Sequence, residues 1–338
     1  MKDMAERGGM PQAQDTKIGY LSLATAVAGT SLASLFYKLA FATGLHPLWV
    51  NVIRLFLTLV IMTPMTLFSK KHIAALRGVT KGAFWLSALA GTLLAFHFTA
   101  WVLALDNTDV FAASAIWGTY LLMTALFSAW ILHEKTSRGA LVGMVIATVG
   151  VVVCNLDGGI GKLSGNLFAL LAAALQALYT LCGRKARVSM DTHTYTSIAY
   201  TFTFAWMAVF VLTLGIRPTG FGAQSVLWAL CLAVFCTLLG HTMLNVSLKY
   251  FKAPTVSAVM LVTVATAPLV VLAVLGDAPT AYTLLGGCII LVGLVWYLTV
   301  EHREAKAAQK AAQPEPTAAN GSGNAAPEDE EKDTVQAL

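Results

Sequence analysis

The sequence has little charge for its length. Only 12% of its 338 residues are Asp, Glu, Lys or Arg, whereas 57% are hydrophobic, and the mean hydropathy is +0.71. Soluble globular proteins carry about 25% charged residues, because their surfaces must remain hydrated. The shortage of charge therefore excludes an ordinary soluble enzyme or binding domain. The net charge of +5 is not a nucleic-acid signal, because the basic residues stand at the ends of apolar segments.

Cysteine is also scarce, and it is scattered. None of the five cysteines stands at metal-ligand spacing from another, and we expect them to pack as small buried residues. Their positions are Cys154, Cys182, Cys231, Cys236 and Cys288. The sequence therefore predicts neither a metal site nor a cofactor.

Long apolar blocks are what the sequence has in abundance. A helix of about 20 apolar residues spans the roughly 30 Å hydrocarbon layer of a membrane. Ten blocks of this kind predict an all-α polytopic membrane protein with ten transmembrane helices. They occupy residues 18–43, 47–68, 82–104, 110–132, 137–155, 164–183, 193–215, 225–248, 255–275 and 281–300.

The basic residues predict the orientation. With the N-terminus placed inside, eighteen Lys and Arg residues fall on the inner side, and only Lys162 and Arg217 fall on the outer side. An excess of Lys and Arg in short loops marks the cytoplasmic side. The sequence therefore predicts an inner (plasma) membrane protein with two cytoplasmic tails, residues 1–17 and 301–338. The second tail is rich in Ala, Glu and Pro and is expected to be disordered.

The two halves of the chain share a pattern. Glu134 stands nine residues before Gly143, and Asp277 stands nine residues before Gly286. In both halves a further glycine follows seven residues later. An offset of 143 maps one pattern onto the other, which indicates a duplication.

The duplication predicts two five-helix repeats, residues 18–155 and 164–300. Because five is odd, the second repeat begins on the opposite side of the membrane from the first. The repeats are therefore expected to be inverted, as in many secondary transporters.

These features together resemble the EamA-type drug/metabolite transporter superfamily. They are the ten helices in two halves, Arg54 early in the second helix, the acidic turns after the fourth and ninth helices, and Gly-x6-Gly in the fifth and tenth. The resemblance implies the export or exchange of small metabolites, often amino acids, through a cavity between the halves.

Carboxylates are missing from the middle of every predicted helix, whereas Arg54 lies about 10 Å below a helix end. A charge at the centre of a bilayer costs upwards of about 2.5 kcal/mol, so Arg54 is expected to face a cavity or a partner. It shares a helix face with Asn51 and Thr58. A substrate-binding role and a purely structural role both remain open. An unpaired positive charge favours an anionic or zwitterionic substrate and disfavours a lipophilic cation.

Lys38 is the second basic residue inside a predicted helix, and it follows Ser34 on one face. It is a candidate for binding an anionic substrate, but its long stem also allows the ammonium group to reach the outer surface.

Two histidines occupy equivalent positions in the halves, since His97 maps onto His241 at an offset of 144. On the same helix face, Trp101 follows His97 four residues later, and Asn245 follows His241 four residues later. We expect both to line the central cavity and to bind substrate, and we expect one of them to titrate during the cycle, because an unperturbed imidazole pKa is about 6.5. The alternative is that both histidines are structural, and that the duplication copied one structural histidine into the other half.

Further polar and aromatic side chains suit the same cavity. The complete candidate substrate-binding set is Ser34, Lys38, Arg54, His97, Trp101, Trp117, Gln176, Tyr179, His241 and Asn245. Glycine-rich faces on the fifth and tenth helices allow close helix contacts and leave a homodimer open.

The predicted function is a secondary transporter, embedded in the lipid bilayer, that exports or exchanges a small polar metabolite by alternating access. An amino acid or related carboxylate is the favoured substrate. The alternatives are organic phosphates held by Lys38 and Arg54, another anionic metabolite, or a drug. A channel is a further alternative. A membrane enzyme using the two histidines is disfavoured, because no carboxylate or metal cluster is predicted beside them.

Overall fold

The chain is described from a computed structural model, which covers residues 13–107, 116–134, 136–154, 156, 163–276 and 280–312. All regular elements within these ranges are helical. The predicted all-α fold is thereby confirmed for the described part of the chain. Most of both predicted tails, and the acidic residue Asp277, lie outside the described residues.

The described residues form eleven helices if internal breaks are disregarded, and two of these helices contain a π-helical stretch. They are α1 (Ala13–Ser31, then Ala33–Phe41), α2 (Pro47–Leu67), α3 (Lys70–Arg77), α4 (Lys81–Asn107), α5 (Tyr120–Phe127, then a π-helix over Ser128–Leu132), α6 (Arg138–Cys154), α7 (Leu163–Ala186), α8 (Thr192–Thr213), α9 (Ala223–Cys231, a π-helix over Leu232–His241, then Thr242–Ser247), α10 (Ala253–Met260, then Val262–Leu275) and α11 (Ala281–Ala312).

Eight of these helices are long and apolar enough to cross a membrane, namely α1, α2, α4 and α7 to α11. Helices α5 and α6 are apolar but shorter, over Tyr120–Leu132 and Arg138–Val153. Residues 110–115, the first residues of the predicted fourth block, lie outside the described part. The count of ten spanning helices therefore stays a prediction. The short helix α3 lies in a segment predicted as a loop.

Alanine determines how closely α4 and α7 approach each other. Helix α7 carries Ala169, Ala172, Ala173 and Ala177, all fully buried, and it packs against α4 over much of its length. Because alanine has no side chain beyond Cβ, the backbone of α7 comes within reach of side chains on α4. The ring of His97 thereby reaches the carbonyl oxygen of Ala172.

Glycine plays the same part between α6 and α11. A Cβ atom added to Gly143 would lie 2.8 Å from the carbonyl oxygen of Gly293, and one added to Gly150 would lie 2.6 Å from the backbone nitrogen of Ile290. The two glycine-rich faces thus pack against each other within one chain. A homodimer through these faces stays a prediction.

Replacing Gly150 with Ala should destabilise the fold. The nearest atoms to the new methyl group are backbone atoms of α11, so the helices must separate, at a cost of about 1–3 kcal/mol. Thermal unfolding of the purified protein in detergent measures the effect. Gly82→Ala is the matched control, because open space surrounds Gly82. Equal melting temperatures for the two variants would contradict this account of the α6–α11 contact.

Candidate functional site

Arg54 is the centre of the candidate site. Helix α2 begins at Pro47, whose fixed φ suits the first helical position, and Arg54 follows two turns later. The side chain is 2% exposed. Its Nε donates to the Thr237 hydroxyl of α9 at 2.6 Å, and its Nη1 donates to the Tyr37 hydroxyl of α1 at 2.9 Å. The ring centre of Phe98 on α4 lies 4.7 Å from its Cζ. Arg54 thus connects four helices.

Within the part of the chain that the structure describes, the charge of Arg54 has no carboxylate partner. No Asp or Glu oxygen of the described residues lies within 4.0 Å of the guanidinium group. Two hydroxyl groups and an aromatic face stabilise it instead, and a cation over an aromatic ring contributes up to about 2 kcal/mol when desolvated. A buried charge normally requires an opposite charge. The site therefore suits a ligand with a negative group.

A π-helical stretch of α9 presents Thr237 to Arg54. Within Leu232–His241, the Thr237 hydroxyl donates to the carbonyl oxygen of Leu232, five residues earlier, at 3.3 Å. Its oxygen is thereby left to accept from Arg54. Long π-helical stretches are rare, and π-turns occur frequently at functional sites because they redirect side chains.

The two histidines have different surroundings. His97 is 6% exposed, and its Nδ1 lies 2.8 Å from the carbonyl oxygen of Ala172. Because a carbonyl oxygen only accepts, Nδ1 must donate, and Nε2 is then an acceptor. The His241 ring contacts Phe98 and Tyr179 edge-on, at 5.6 and 6.1 Å between ring centres. Its buried Nδ1 has no hydrogen-bond partner among the described residues.

Asn245 presents a free oxygen beside His241. Its Nδ2 donates to the Tyr179 hydroxyl at 2.6 Å and to the carbonyl oxygen of His241 at 2.7 Å. The second bond fixes the amide orientation, because that carbonyl only accepts. Asn245 Oδ1 is consequently a buried acceptor without a partner in the described structure, and Gln176 Oε1 on α7 is another.

Asn51 presents a free donor near Arg54. Since Arg54 donates to the Tyr37 hydroxyl, that hydroxyl donates in turn to Asn51 Oδ1. Asn51 Nδ2 then remains buried without a partner among the described residues. Because buried polar groups are nearly always hydrogen-bonded, such atoms mark where a ligand or water is expected to bind.

The predicted candidates do not all meet. The described contacts connect Arg54, through Phe98, to His241, Tyr179 and Asn245. His97, which is held by the carbonyl of Ala172, also contacts Phe98, at 5.5 Å between ring centres. Gln176 lies on the same helix as Tyr179, and no described side-chain contact connects it with Arg54.

Trp101 and Trp117 form a separate aromatic cluster. Their ring centres lie 6.0 Å apart, and Trp117 stacks on Tyr120 at 4.7 Å. The described ring contacts do not connect this cluster with Arg54.

Ser34 and Lys38 are both exposed on α1, away from the buried residues of that helix. The buried face of the same helix carries Tyr37, which contacts Arg54. Lys38 is in the predicted set of site residues, but its neighbour Tyr37 is not. Phe98 is not in that set either, because an apolar residue in an apolar segment carries no signal of its own.

A second polar network lies where α5, α7, α9 and α10 end or begin. Glu134 Oε1 forms an ion pair with Arg184 Nε at 2.8 Å, and Glu134 Oε2 accepts from the backbone N–H of Ala253 at 3.4 Å. Arg184 Nη1 also donates to the carbonyl oxygen of Leu248 at 2.9 Å. From the sequence alone, Arg184 is only one of the basic residues that mark the predicted cytoplasmic side. The structure places it in a connection between helices of the two predicted repeats.

Comparison with known proteins agrees with this fold. A protein described as an uncharacterized transporter, from Clostridium kluyveri, is 25% identical over 201 residues, 57% of this chain and 64% of that protein, so the match spans less than two thirds of the relative. Another so described, from Archaeoglobus fulgidus, is 28% identical over 236 residues, 66% of this chain and 79% of that protein. One crystal structure of a protein matches with a TM-score of 0.71 at 17% identity, covering 86% of this chain and 99% of that one, which supports the fold alone.

The model of the EamA-like transporter family matches the chain twice, over residues 17–156 and 163–299. The resemblance seen in the sequence is thereby confirmed, and with it the polytopic membrane fold. The chain belongs to the EamA-like transporter family.

Proposed function

We propose that this transporter moves a small metabolite with a carboxylate group, most simply an amino acid, and exports or exchanges it by alternating access. The observation that carries the proposal is the buried guanidinium of Arg54 without a carboxylate partner among the described residues. A carboxylate substrate would supply the missing charge. A bidentate pair with arginine would also give it a defined orientation.

The unpaired atoms favour a zwitterion. Near Arg54, the free Nδ2 of Asn51 is a donor, which suits a carboxylate. Beside His241, the free Oδ1 of Asn245 is an acceptor, as is Gln176 Oε1 on α7, and acceptors suit an ammonium group. An α-amino acid carries both groups on its Cα atom and has a side chain that can pack against the aromatic walls.

An organic phosphate is the second candidate. Two cations would best balance a phosphate dianion. Besides Arg54, Lys38 is the basic residue predicted to lie within the membrane. Its exposed position on α1 is the observation against a joint site with Arg54.

Counterflow in proteoliposomes loaded with amino acids, organic acids or phosphorylated metabolites tests directly which of these substrates is transported. Transient accumulation of labelled amino acid supports the proposal; accumulation of phosphorylated metabolites alone would overturn it, and rapid downhill flux without counterflow would favour a channel.

Removing the charge of Arg54 should weaken substrate binding. Hydrogen bonds to charged groups contribute about 1.5–3 kcal/mol, so Arg54→Gln should raise the half-saturating concentration in counterflow by roughly 10- to 100-fold. Arg54→Lys keeps the charge but loses the guanidinium N–H groups that reach Thr237 and Tyr37. This variant should therefore retain part of the affinity. Lys38→Gln is the control for loss of a positive charge on α1. If it impairs transport as much as Arg54→Gln does, the site includes Lys38.

The histidines should contribute unequally. His97 already uses Nδ1 on the carbonyl of Ala172, whereas His241 Nδ1 is unpartnered among the described residues. His241→Gln should therefore weaken substrate affinity by roughly 2- to 10-fold, the worth of one neutral hydrogen bond, and more than His97→Gln does. Measuring affinity against pH for both variants and the double variant checks this. An unchanged affinity and pH profile in the double variant would exclude a role for either imidazole.

The Glu134 network should hold the predicted cytoplasmic side closed. It ties α5 of the first predicted repeat to α7 and α10 of the second, and these contacts must separate if the repeats rock apart. Glu134→Gln removes a partly exposed ion pair with Arg184, so the ratio of closed to open protein should fall roughly tenfold, or ~1.4 kcal/mol.

The population shift can be measured by the labelling rate of a single cysteine introduced on the predicted cytoplasmic side, in a background without the native cysteines. Glu304→Gln, at an exposed carboxylate on the same predicted side, is the control. Equal labelling rates in the two variants would show that Glu134 does not restrain opening.

A further inference from the structure

A groove of about 370 Å³ opens between α2, α4 and α8, beneath the short helix α3. Its walls are mostly apolar and include Met62, Phe84 and Phe202, with the hydroxyl groups of Thr66 and Thr201 among them. Phe84 and Thr201 are exposed on spanning helices, so the groove faces lipid. It lies at the ends of these helices that are predicted to be cytoplasmic.

Two of the helices that border this groove, α3 and α4, carry exposed basic residues. Helix α3 contributes Leu76 to the wall, and the exposed Lys70, Lys71 and Arg77 belong to the same helix. Lys81, also exposed, stands one turn before Phe84 on α4. The sequence contains no Asp or Glu between residues 16 and 105, so this segment has no acidic residue of its own. The acidic residue that faces it is Asp191 at the start of α8, which interacts electrostatically with His72 and Arg187.

A buried polar corner adjoins the groove. The Thr66 hydroxyl lies 2.7 Å from Nε2 of His193, and the His193 ring centre lies 4.1 Å from that of His72 on α3. His72 Nδ1 is buried without a hydrogen-bond partner among the described residues. The groove therefore combines apolar walls, a positive rim and unused hydrogen-bonding capacity.

We propose that this groove binds an anionic phospholipid, with an acyl chain between α2, α4 and α8 and the phosphate near Arg77 and Lys81. Basic pockets between helices on the cytoplasmic side suit anionic head groups, which are abundant in that leaflet. A groove of this volume accommodates a segment of an extended acyl chain, but not a second transmembrane helix, whose diameter is about 10 Å. The site is separate from the Arg54 site, and it does not depend on which substrate is transported.

Native mass spectrometry of the purified full-length protein tests the proposal by titration with phosphatidylglycerol, phosphatidylcholine of the same chains, or glycerol phosphate. We expect preferential binding of phosphatidylglycerol. The double variant Arg77→Gln/Lys81→Gln should bind it roughly 30-fold more weakly, because each basic residue near an anionic lipid contributes a factor of about five. The control Lys185→Gln/Lys249→Gln loses two exposed basic residues on the same predicted side and should bind normally.

A groove-filling variant separates the chain site from the head-group site. Thr201→Trp leaves every charge in place and should reduce phosphatidylglycerol binding, whereas Thr213→Trp, near the other end of α8, should not. Equal binding of the two lipids, or equal losses in the two double variants, would overturn the proposal. So would binding of glycerol phosphate as tight as that of the lipid, which would indicate a site for free phosphate. Unchanged binding by Thr201→Trp would overturn the assignment of the groove.

Discussion

The buried guanidinium group of Arg54 imposes the main constraint on this structure. An arginine in an apolar helical bundle must be surrounded by hydrogen-bond acceptors and π-electrons, or its burial destabilises the fold. Helices α1, α4 and α9 supply Tyr37, Phe98 and Thr237 for this purpose. The π-helical stretch of α9 places Thr237 beside Arg54, and the Tyr37 hydroxyl donates in turn to Asn51 Oδ1. The remaining electrostatic requirement, a negative charge, is what a carboxylate substrate would meet.

Small residues make this arrangement possible. The alanines of α7 allow α4 to approach closely, and glycines bring α6 and α11 together. Apolar attraction between helices is weak in a membrane, so close backbone packing must replace it. The polar contacts are consequently few but directional. The Glu134–Arg184 pair joins the two predicted repeats at one end, where a contact that forms and breaks would control access to the Arg54 site.

The all-α membrane fold could be predicted from the sequence, because hydrophobic length and small-residue spacing are properties of short stretches of sequence. Arg54 could be identified for the same reason, since a charge within an apolar block is conspicuous. Its partners could not. Tyr37 and Phe98 differ little from other aromatics in apolar segments, and only the tertiary structure shows which of them face Arg54.

Partners that belong to the backbone were also beyond the sequence. His97 hydrogen-bonds to the carbonyl oxygen of Ala172, and every residue carries such an oxygen. Likewise, the abundance of Lys and Arg on one predicted side explains why Arg184 is basic, but not that it pairs with Glu134 fifty residues earlier. The π-helical stretch in α9 leaves no pattern that distinguishes it from an ordinary helix.

The most direct test of the central claim pairs a change in the protein with a change in the ligand. Binding affinities are measured for wild-type protein and Arg54→Gln, each with a transported amino acid and with its carboxamide, which lacks the negative charge. If Arg54 meets the carboxylate, wild-type protein should bind the carboxamide roughly 10- to 100-fold more weakly, and the variant should bind the two ligands about equally. The same ratio of affinities in both proteins would show that Arg54 does not contact the carboxylate, and would leave it a structural residue.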